Sequence, residues 1–269
     1  MKLGFIGGGN MAAAIIGGLL HQGYRPSAIA VVEPLAERRA WLSHEFGVAA
    51  EEHAATAAGA DVIVLAVKPQ QLKDVLASLP ALQARQLVLS VAAGIRSPDI
   101  SRWLGGHAAV ARAMPNIPAL VGEGVTGLYA QSGVSTAQRD MAHHVMTAVG
   151  SVVWVEDEAQ IDAVTAISGS GPAYVFYFIE ALEQAGRELG LSGETARHLA
   201  LRTFLGASSL ATKDGAPPNE LRARVTSRGG TTEQGIQALE DAGVRAAIVR
   251  AARSAAIRAQ EMGDHFGQA

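Results

Sequence analysis

The chain predicts an α/β fold: a doubly wound, mostly parallel sheet followed by an all-helical C-terminal domain. Three observations carry this. Short apolar runs alternate with helical segments as far as Val155, the pattern of a parallel sheet covered on both faces. A glycine-rich turn, Gly7-Gly8-Gly9, separates the first run from an apolar-faced helix. Beyond Glu156 no strand pattern remains.

Taken in order, residues 2–6 form a short buried strand, and the helix after the glycines opens with a small, uncharged turn. His21-Gln22-Gly23-Tyr24-Arg25-Pro26 is a turn, with Gly23 as the C-cap. Residues 29–32 are a second strand ending on Glu33-Pro34, and a helix over 35–45 stops at Gly47. Residues 61–67 (Asp-Val-Ile-Val-Leu-Ala-Val) are apolar almost throughout, as a strand covered on both faces requires. Lys68-Pro69 cuts that run, and 70–79 is helical. A strand over 86–93 ends at Gly94, with a short helix over 98–104 behind it. The strand over 108–114 is closed by Pro115-Asn116-Ile117-Pro118. Strands over 124–130 and 151–155 flank a helix over 136–149 and finish the sheet.

The remainder reads as helices over 157–167, 172–189, 193–212, 219–225, 231–241 and 244–262. The segment Ala173-Tyr174-Val175-Phe176-Tyr177-Phe178-Ile179 is apolar on every face, and such a helix needs cover on all sides. Six helices make a thin shell for it, so a partner subunit is an economical cover. Small residues at Ala246, Ala247, Ala251, Ala255 and Ala256 suit close helix contact in the last segment. The strand-to-helix switch sets the expected boundary: domains over 1–156 and 157–269.

Composition agrees. At 269 residues, with 49% hydrophobic and 17% charged side chains, the chain fits two domains of ordinary size with a substantial core. A net charge of −3 gives no electrostatic reason to expect nucleic acid or an anionic membrane as partner. The absence of cysteine removes disulfides, thiol nucleophiles and thiolate metal sites, and suits a reducing cytoplasm. No run of about 18 apolar residues is present, so no membrane span is expected. The apolar segment after Met11 is interrupted by the glycines and Asn10, which argues against a signal peptide.

The glycine turn has the spacing G-x-G-x-x-G/A at Gly7, Gly9 and Ala12. The first glycine permits a tight turn off the strand, the second lets a pyrophosphate approach the backbone, and the third small residue lets helix and strand pack closely. The helix start offers N–H groups to the phosphates. Glu33 stands 24 residues beyond Gly9, near the acidic position that accepts hydrogen bonds from a ribose in such folds. A carboxylate there favours NADH. Arg38 and Arg39 pull the other way, toward a 2′-phosphate, and the sequence leaves the preference between NADPH and NADH open. Ala66-Val67-Lys68-Pro69, Ala92-Ala93-Gly94, Arg112 and Pro115-Asn116 fall at strand C-terminal ends, where open α/β sheets bind ligands.

Two motifs lie in the helical half. Ser168-Gly169-Ser170-Gly171-Pro172-Ala173-Tyr174 starts a helix near Pro172. Thr226-Ser227-Arg228-Gly229-Gly230-Thr231-Thr232-Glu233 is a polar glycine turn running into another helix start, sized for a carboxylate or a phosphate. Thr231 or Thr232 serves equally well there as a plain N-cap. The eight histidines form no ligand set, so no metal site is expected, and no Ser/His/Asp or paired-carboxylate arrangement stands out. That scarcity fits hydride transfer, in which the cofactor carries the hard chemistry.

Phe5-Ile6-Gly7-Gly8-Gly9-Asn10-Met11, Ala66-Val67-Lys68-Pro69, Met114-Pro115-Asn116, the Ser168 motif and Gly229-Gly230-Thr231-Thr232 occur in that order. In this combination the chain resembles the pyrroline-5-carboxylate reductases, over essentially its whole length. The resemblance implies a Rossmann-like N-terminal domain and a helical C-terminal domain that binds substrate and dimerises, often with rings of dimers. It also implies a cytoplasmic enzyme that reduces 1-pyrroline-5-carboxylate to L-proline, the last step of proline biosynthesis, with NADPH or NADH. Carried over by residue, the backbone of Gly7, Gly8, Gly9, Asn10 and Met11 holds pyrophosphate, Val67, Lys68 and Ala93 line the nicotinamide side, and Ile6 and Ala66 belong to the same cofactor site. Gly229, Gly230, Thr231 and Thr232 bind the substrate, Thr232 holding the imine nitrogen, and Glu158 lies at the substrate pocket. The chain departs from the usual pattern at Arg228, Ile117, Arg224 and Glu33; the last puts an NADPH preference in doubt. The rival readings are a two-domain imine reductase or β-hydroxyacid dehydrogenase, and a dinucleotide-sensing protein without catalysis.

Overall fold

The computed structural model describes residues 1–57 and 59–268. Strands β1 (Leu3–Ile6), β2 (Ile29–Val32), β3 (Ala49–Glu51), β4 (Val62–Leu65), β5 (Leu87–Ser90), β6 (Val110–Met114), β7 (Gly124–Ala130) and β8 (Gly150–Trp154) form one sheet, in the order β3-β2-β1-β4-β5-β6-β7-β8. Neighbours run parallel except β6 and β7. That reversal follows from the connection. Only a short 3₁₀ turn, Ile117–Val121, links β6 to β7, whereas a parallel pair needs a long crossover.

Helices α1 (Asn10–His21), α2 (Ala36–Phe46), α3 (Pro69–Ala77), α4 (Ser97–Trp103) and α5 (Thr136–Thr147) cover the sheet. Alternating strand residues feed a core on each face. Leu3, Phe5 and Val64 pack with Ile15, Ile16 and Leu19, while Ile63 and Leu65 pack with Leu72, Leu76 and Ile100. Both faces are therefore dry, which is why the strands read as nearly continuous apolar runs. The doubly wound sheet expected from sequence is the one observed.

Three details differ from expectation. β3 has no counterpart in the sequence reading: Ala49-Ala50-Glu51 is short, small and half exposed, an edge strand whose pairing to β2 leaves little pattern. The helix expected over 157–167 is instead α6 (Gln160–Val164) followed by a π-turn, Thr165–Gly169. The last helix, α11 (Val244–Gln268), runs beyond Met262.

The compact units also divide elsewhere than at residue 156. One comprises Met1–Ser170 with the C-terminal segment from Ser254; the other is Gly171–Arg253. The sheet ends at Trp154, but α6 belongs with it. A Cβ on Gly127 would lie 2.6 Å from Val164 Cγ1, and the Asn116 amide donates to the Ser168 carbonyl at 3.1 Å.

The second unit holds α7 (Gly171–Glu188), α8 (Gly193–Asp214), α9 (Pro218–Arg224), α10 (Thr231–Asp241) and the first part of α11. No residue of α7 is buried in the single chain, and Tyr177 is 71% exposed. An apolar groove of about 750 Å³ lies among Tyr174, Phe178, Phe204 and Ile248. No described helix is long and apolar enough to cross a membrane.

Candidate active site

The register aligns Ile6 with Val32 on one side and Leu65 on the other, and Leu65 with Ser90. The C-terminal ends of β2, β1, β4 and β5 thus form one edge. Strand order reverses between β1 and β4, the crevice where such sheets take ligands.

At that crevice the three glycines do different work. Gly7 has φ +97°, and a Cβ there would lie 2.8 Å from both the Ala66 carbonyl and Val67 Cγ1. Gly8 is enclosed too, since its Cβ would sit 2.5 Å from Leu42 Cδ1. Gly9 is the opposite case: a Cβ there would meet nothing within 4 Å. Gly9 is also the N-cap of α1, with no side-chain cap and no acidic residue in the first turn. The N–H groups of Asn10 and Met11 therefore lack intrahelical acceptors beside open space, under the positive end of the helix dipole. A pyrophosphate fits that cradle. Ala12 is fully buried, as close packing of α1 on the sheet demands.

Beside Gly7, Ala66 and Val67 are half-buried at the end of β4; Lys68 is exposed as the N-cap of α3, ahead of Pro69. Ala93 is half-buried past β5, next to Gly94 at φ +72°, whose Cβ would lie 3.1 Å from Met262 Cβ. Val67 and Ala93 thus flank the same edge as the glycine turn.

Glu33 ends β2 as expected, but its carboxylate is turned inward. Oε2 accepts from Gly8 N–H at 2.9 Å and Oε1 from Leu35 N–H at 3.0 Å, and the residue is 8% exposed. The cause is local. Gly8 N–H leaves the strand ladder without a backbone acceptor, and a buried donor needs one. Arg38 Nε donates to the Gly8 carbonyl at 2.6 Å, and Arg39 Nη1 donates to the carbonyls of Glu33 and Pro34.

Glu158 is likewise committed. Oε1 accepts from Ser97 N–H at 2.6 Å and from Arg112 Nη1 at 2.9 Å, and Oε2 accepts from Ser97 Oγ at 2.7 Å. It ties the start of α4 to the middle of β6. Asp162 stands near this pair, and burial pushes its carboxyl above the usual aspartate range; Arg112 and Arg96 oppose that, while Glu158 and Asp264 add to it. Burial and the charges of Glu158 and Asp157 push the Tyr129 phenol up. Ser97 and Asp162 were missed in sequence. The available signal was Arg112, a charge inside an apolar strand, which requires a buried partner.

In the helical unit, Gly229 has φ +72° and its N–H donates to Glu233 Oε2 at 2.7 Å. Gly230 N–H donates to the Ser227 carbonyl at 3.1 Å. Gly230 is the N-cap of α10, with no side-chain cap, so neither Thr231 nor Thr232 caps the helix. That overturns the capping alternative. Both threonines are exposed at the first two helical positions, and the first-turn N–H groups lack intrahelical acceptors. Arg224 pairs with Asp214 at 2.8 Å.

Residues 158–262 match the family model described as pyrroline-5-carboxylate reductase dimerisation, and residues 2–94 match that of NADP oxidoreductase, coenzyme F420-dependent. The pyrroline-5-carboxylate reductase of Pseudomonas aeruginosa is 48% identical, over 99% of this chain and 98% of its own. The solved structure of the reductase from Coxiella burnetii is 42% identical, with a TM-score of 0.92 over 97% of this chain and 98% of that one. That of Plasmodium falciparum pyrroline carboxylate reductase, with NADP bound, is 28% identical, with a TM-score of 0.86 over 98% of each chain. With the sheet, the glycine turn and the dimerisation segment all in place, this chain belongs to the pyrroline-5-carboxylate reductase family.

Proposed function

We propose that this chain reduces 1-pyrroline-5-carboxylate to L-proline with NADPH or NADH. The observation that carries the reading is an open, uncapped helix start at Gly9 in the same chain as a second uncapped helix start at Gly230. The dinucleotide supplies a hydride when bound. The N–H groups of Asn10 and Met11 would hold its pyrophosphate, and Val67 and Ala93 would wall the nicotinamide end. The first-turn N–H groups of α10 hold the substrate carboxylate. The Thr232 hydroxyl oxygen accepts from the N–H of the protonated imine, the form most open to hydride at carbon. Once the iminium is bound, the hydride that the dinucleotide would supply needs no proton from a side chain. Positioning, not side-chain acid–base chemistry, is the protein's contribution. Glu158 acts one step back, by pinning Ser97 and the segment that follows Ala93.

A second copy covers the exposed face of α7 and the groove beside it, giving a homodimer; we extend this to a ring of dimers in the cytoplasm. Light scattering should return a mass that is a multiple of the dimer, and a folded micromolar monomer would end the assembly reading. The decisive assay follows dinucleotide oxidation with pyrroline-5-carboxylate and with open-chain 2-oxo and 3-hydroxy acids. The cyclic imine should be the better substrate. Equal or better turnover of an open-chain acid would favour the dehydrogenase rival, and no oxidation with any of them the sensing protein.

A further inference from the structure

We infer that the last two turns of α11 are a clasp on the nicotinamide wall: Met262, Gly263, Asp264 and Phe266 are positioning residues that set the Ala93-Gly94 turn and, through it, the rate of hydride transfer. The inference rests on the function proposed above, in which Ala93 walls the nicotinamide end.

That turn needs support. Ala93 and Gly94 follow β5, and Gly94 stands at φ +72°. Glycine loses more conformational freedom on folding than any other residue, so neighbours must fix it. From within, Glu158 pins Ser97 just beyond the turn. On the other side stands α11. A Cβ on Gly94 would lie 3.1 Å from Met262 Cβ and 3.5 Å from Phe266 Cδ2. Phe266 packs against the buried cluster that includes Ala92, Ile95 and Ile100.

The sequence of the helix end is shaped for this contact. Gly263 and Gly267 stand about one turn apart, although glycine is among the poorest residues inside a helix. Both lie where the neighbouring segment leaves no room. A Cβ on Gly263 would lie 2.9 Å from Arg96 Nε, and one on Gly267 would lie 2.8 Å from Asp99 Oδ2. Polar ties use the space so spared. Arg96 Nη2 pairs with Asp264 Oδ1 at 2.7 Å, and Arg102 Nη2 donates to the Gly267 carbonyl at 2.9 Å. The side chains of Arg96 and Asp264 are 39% and 54% exposed, so the pair holds weakly by itself. Its use is register: it fixes which turn of α11 meets Gly94. A shift of the Ala93-Gly94 turn moves the nicotinamide wall and leaves the glycine turn at Gly7 in place. A misplacement of roughly 1 Å is enough to cost about 10²-fold in rate.

ADP-ribose carries the adenosine and pyrophosphate of the dinucleotide and lacks nicotinamide, so it reports the glycine turn alone. Phe266→Ala and Gly263→Ala are compared with the unaltered chain in three ways: kcat with pyrroline-5-carboxylate, melting temperature, and calorimetric binding of NADH against ADP-ribose, or of NADPH against its 2′-phosphate. Both variants should lower kcat about tenfold and weaken the whole dinucleotide, while the nicotinamide-free probe stays within about twofold. Gly263→Ala is the safer variant, since alanine favours the helix and a weaker helix cannot explain the loss. Phe266→Leu refills the apolar contact and should recover most of the rate. Glu261→Gln, half exposed and paired with Arg258, should match the unaltered chain. A normal kcat in both alanine variants, measured where they are folded, overturns the proposal whatever the melting temperatures do. So does equal weakening of the dinucleotide and the probe, which would make the helix end a general brace. If the unaltered chain oxidises no dinucleotide with the imine, it is the reductase reading that fails, and the clasp falls with it.

Discussion

Glu158→Ala is the sharpest test of how the dinucleotide unit is held together. The carboxylate receives three hydrogen bonds, two from Ser97 and one from Arg112. The side chains of Arg112 and Glu158 are 5% and 16% exposed, so truncation leaves a buried guanidinium without its counter-charge. Breaking such a pair from one side costs about 3–5 kcal/mol. Ser97 is fully buried, and its orphaned N–H and hydroxyl keep the loss toward the upper end. Glu158→Gln keeps the shape and one acceptor, and should lose about 1.5–3 kcal/mol, the worth of hydrogen bonds to a charged group. Arg112→Met combined with Glu158→Gln removes both charges. That double variant should be less destabilised than the sum of its parts by about 1–3 kcal/mol, as residues in one network are. Urea unfolding at fixed protein concentration reads the unaltered chain, both Glu158 variants, Arg112→Met alone and the double variant. A loss below about 1 kcal/mol for Glu158→Ala would show that the pair is a solvated one of ordinary surface value. Catalysis supplies a second check. If Glu158 touched substrate directly, Glu158→Gln would raise KM for the imine while dinucleotide affinity stood still. A positioning role through Ser97 predicts that both constants move together.

Thr232→Ala should lower kcat/KM for pyrroline-5-carboxylate roughly 10- to 150-fold, from one hydrogen bond of about 1.5–3 kcal/mol to a charged nitrogen. Because Gly230 is the N-cap, the melting temperature should stay put; a fall in Tm with unchanged kinetics would refute the assignment. Gly9→Ala places a methyl in open space at φ −66°, so stability should hold within about 0.5 kcal/mol while dinucleotide binding weakens tenfold or more, by calorimetry. Intact binding would put the pyrophosphate elsewhere. For Asp162 the sign is fixed by its raised carboxyl pKa. Its folded form favours the proton, so its contribution to stability is full below the ordinary aspartate value near 3.9 and is lost as pH rises through the folded value. Asp162→Asn should therefore stabilise the chain at pH 7, measured by urea unfolding, and make no difference in acid; destabilisation at pH 7 would mean that Arg112 and Arg96 outweigh burial.

Much of this molecule was legible in its sequence, for identifiable reasons. Strands dry on both faces announce themselves as apolar runs, and a segment apolar all round, such as residues 173–179 of α7, calls for cover. Glycine spacing marks the dinucleotide turn because Gly7, at φ +97°, has no room for a side chain, while Gly9 stands at the open helix start that a pyrophosphate must approach. β3 escaped because three small residues at a sheet edge bury almost nothing and so carry no pattern. The expected boundary at 156 falls where the strands stop, beside the start of the matched dimerisation segment at residue 158, while the first compact unit runs on to Ser170 through contacts of Glu158 and Val164 with residues far away in sequence.

The residues at the site show the same division between place and direction. Spacing put Glu33 at the correct strand end, since strand length and turn chemistry fix where a residue falls. Where its carboxylate points depends on which donors nearby lack partners. Gly8 N–H and Leu35 N–H are such donors, and they drew the carboxylate away from the crevice. Arg38, in the first turn of α2, donates to the Gly8 carbonyl and stacks on Trp41, at a position that helix periodicity in sequence reads as a solvated face. Glu158 repeats the case: its position suggests a pocket, while the buried Arg112 and the open start of α4 decide its contacts. A charged residue near a ligand site can therefore be located from sequence, but its role waits on the local census of unpaired backbone donors, which only the assembled fold provides.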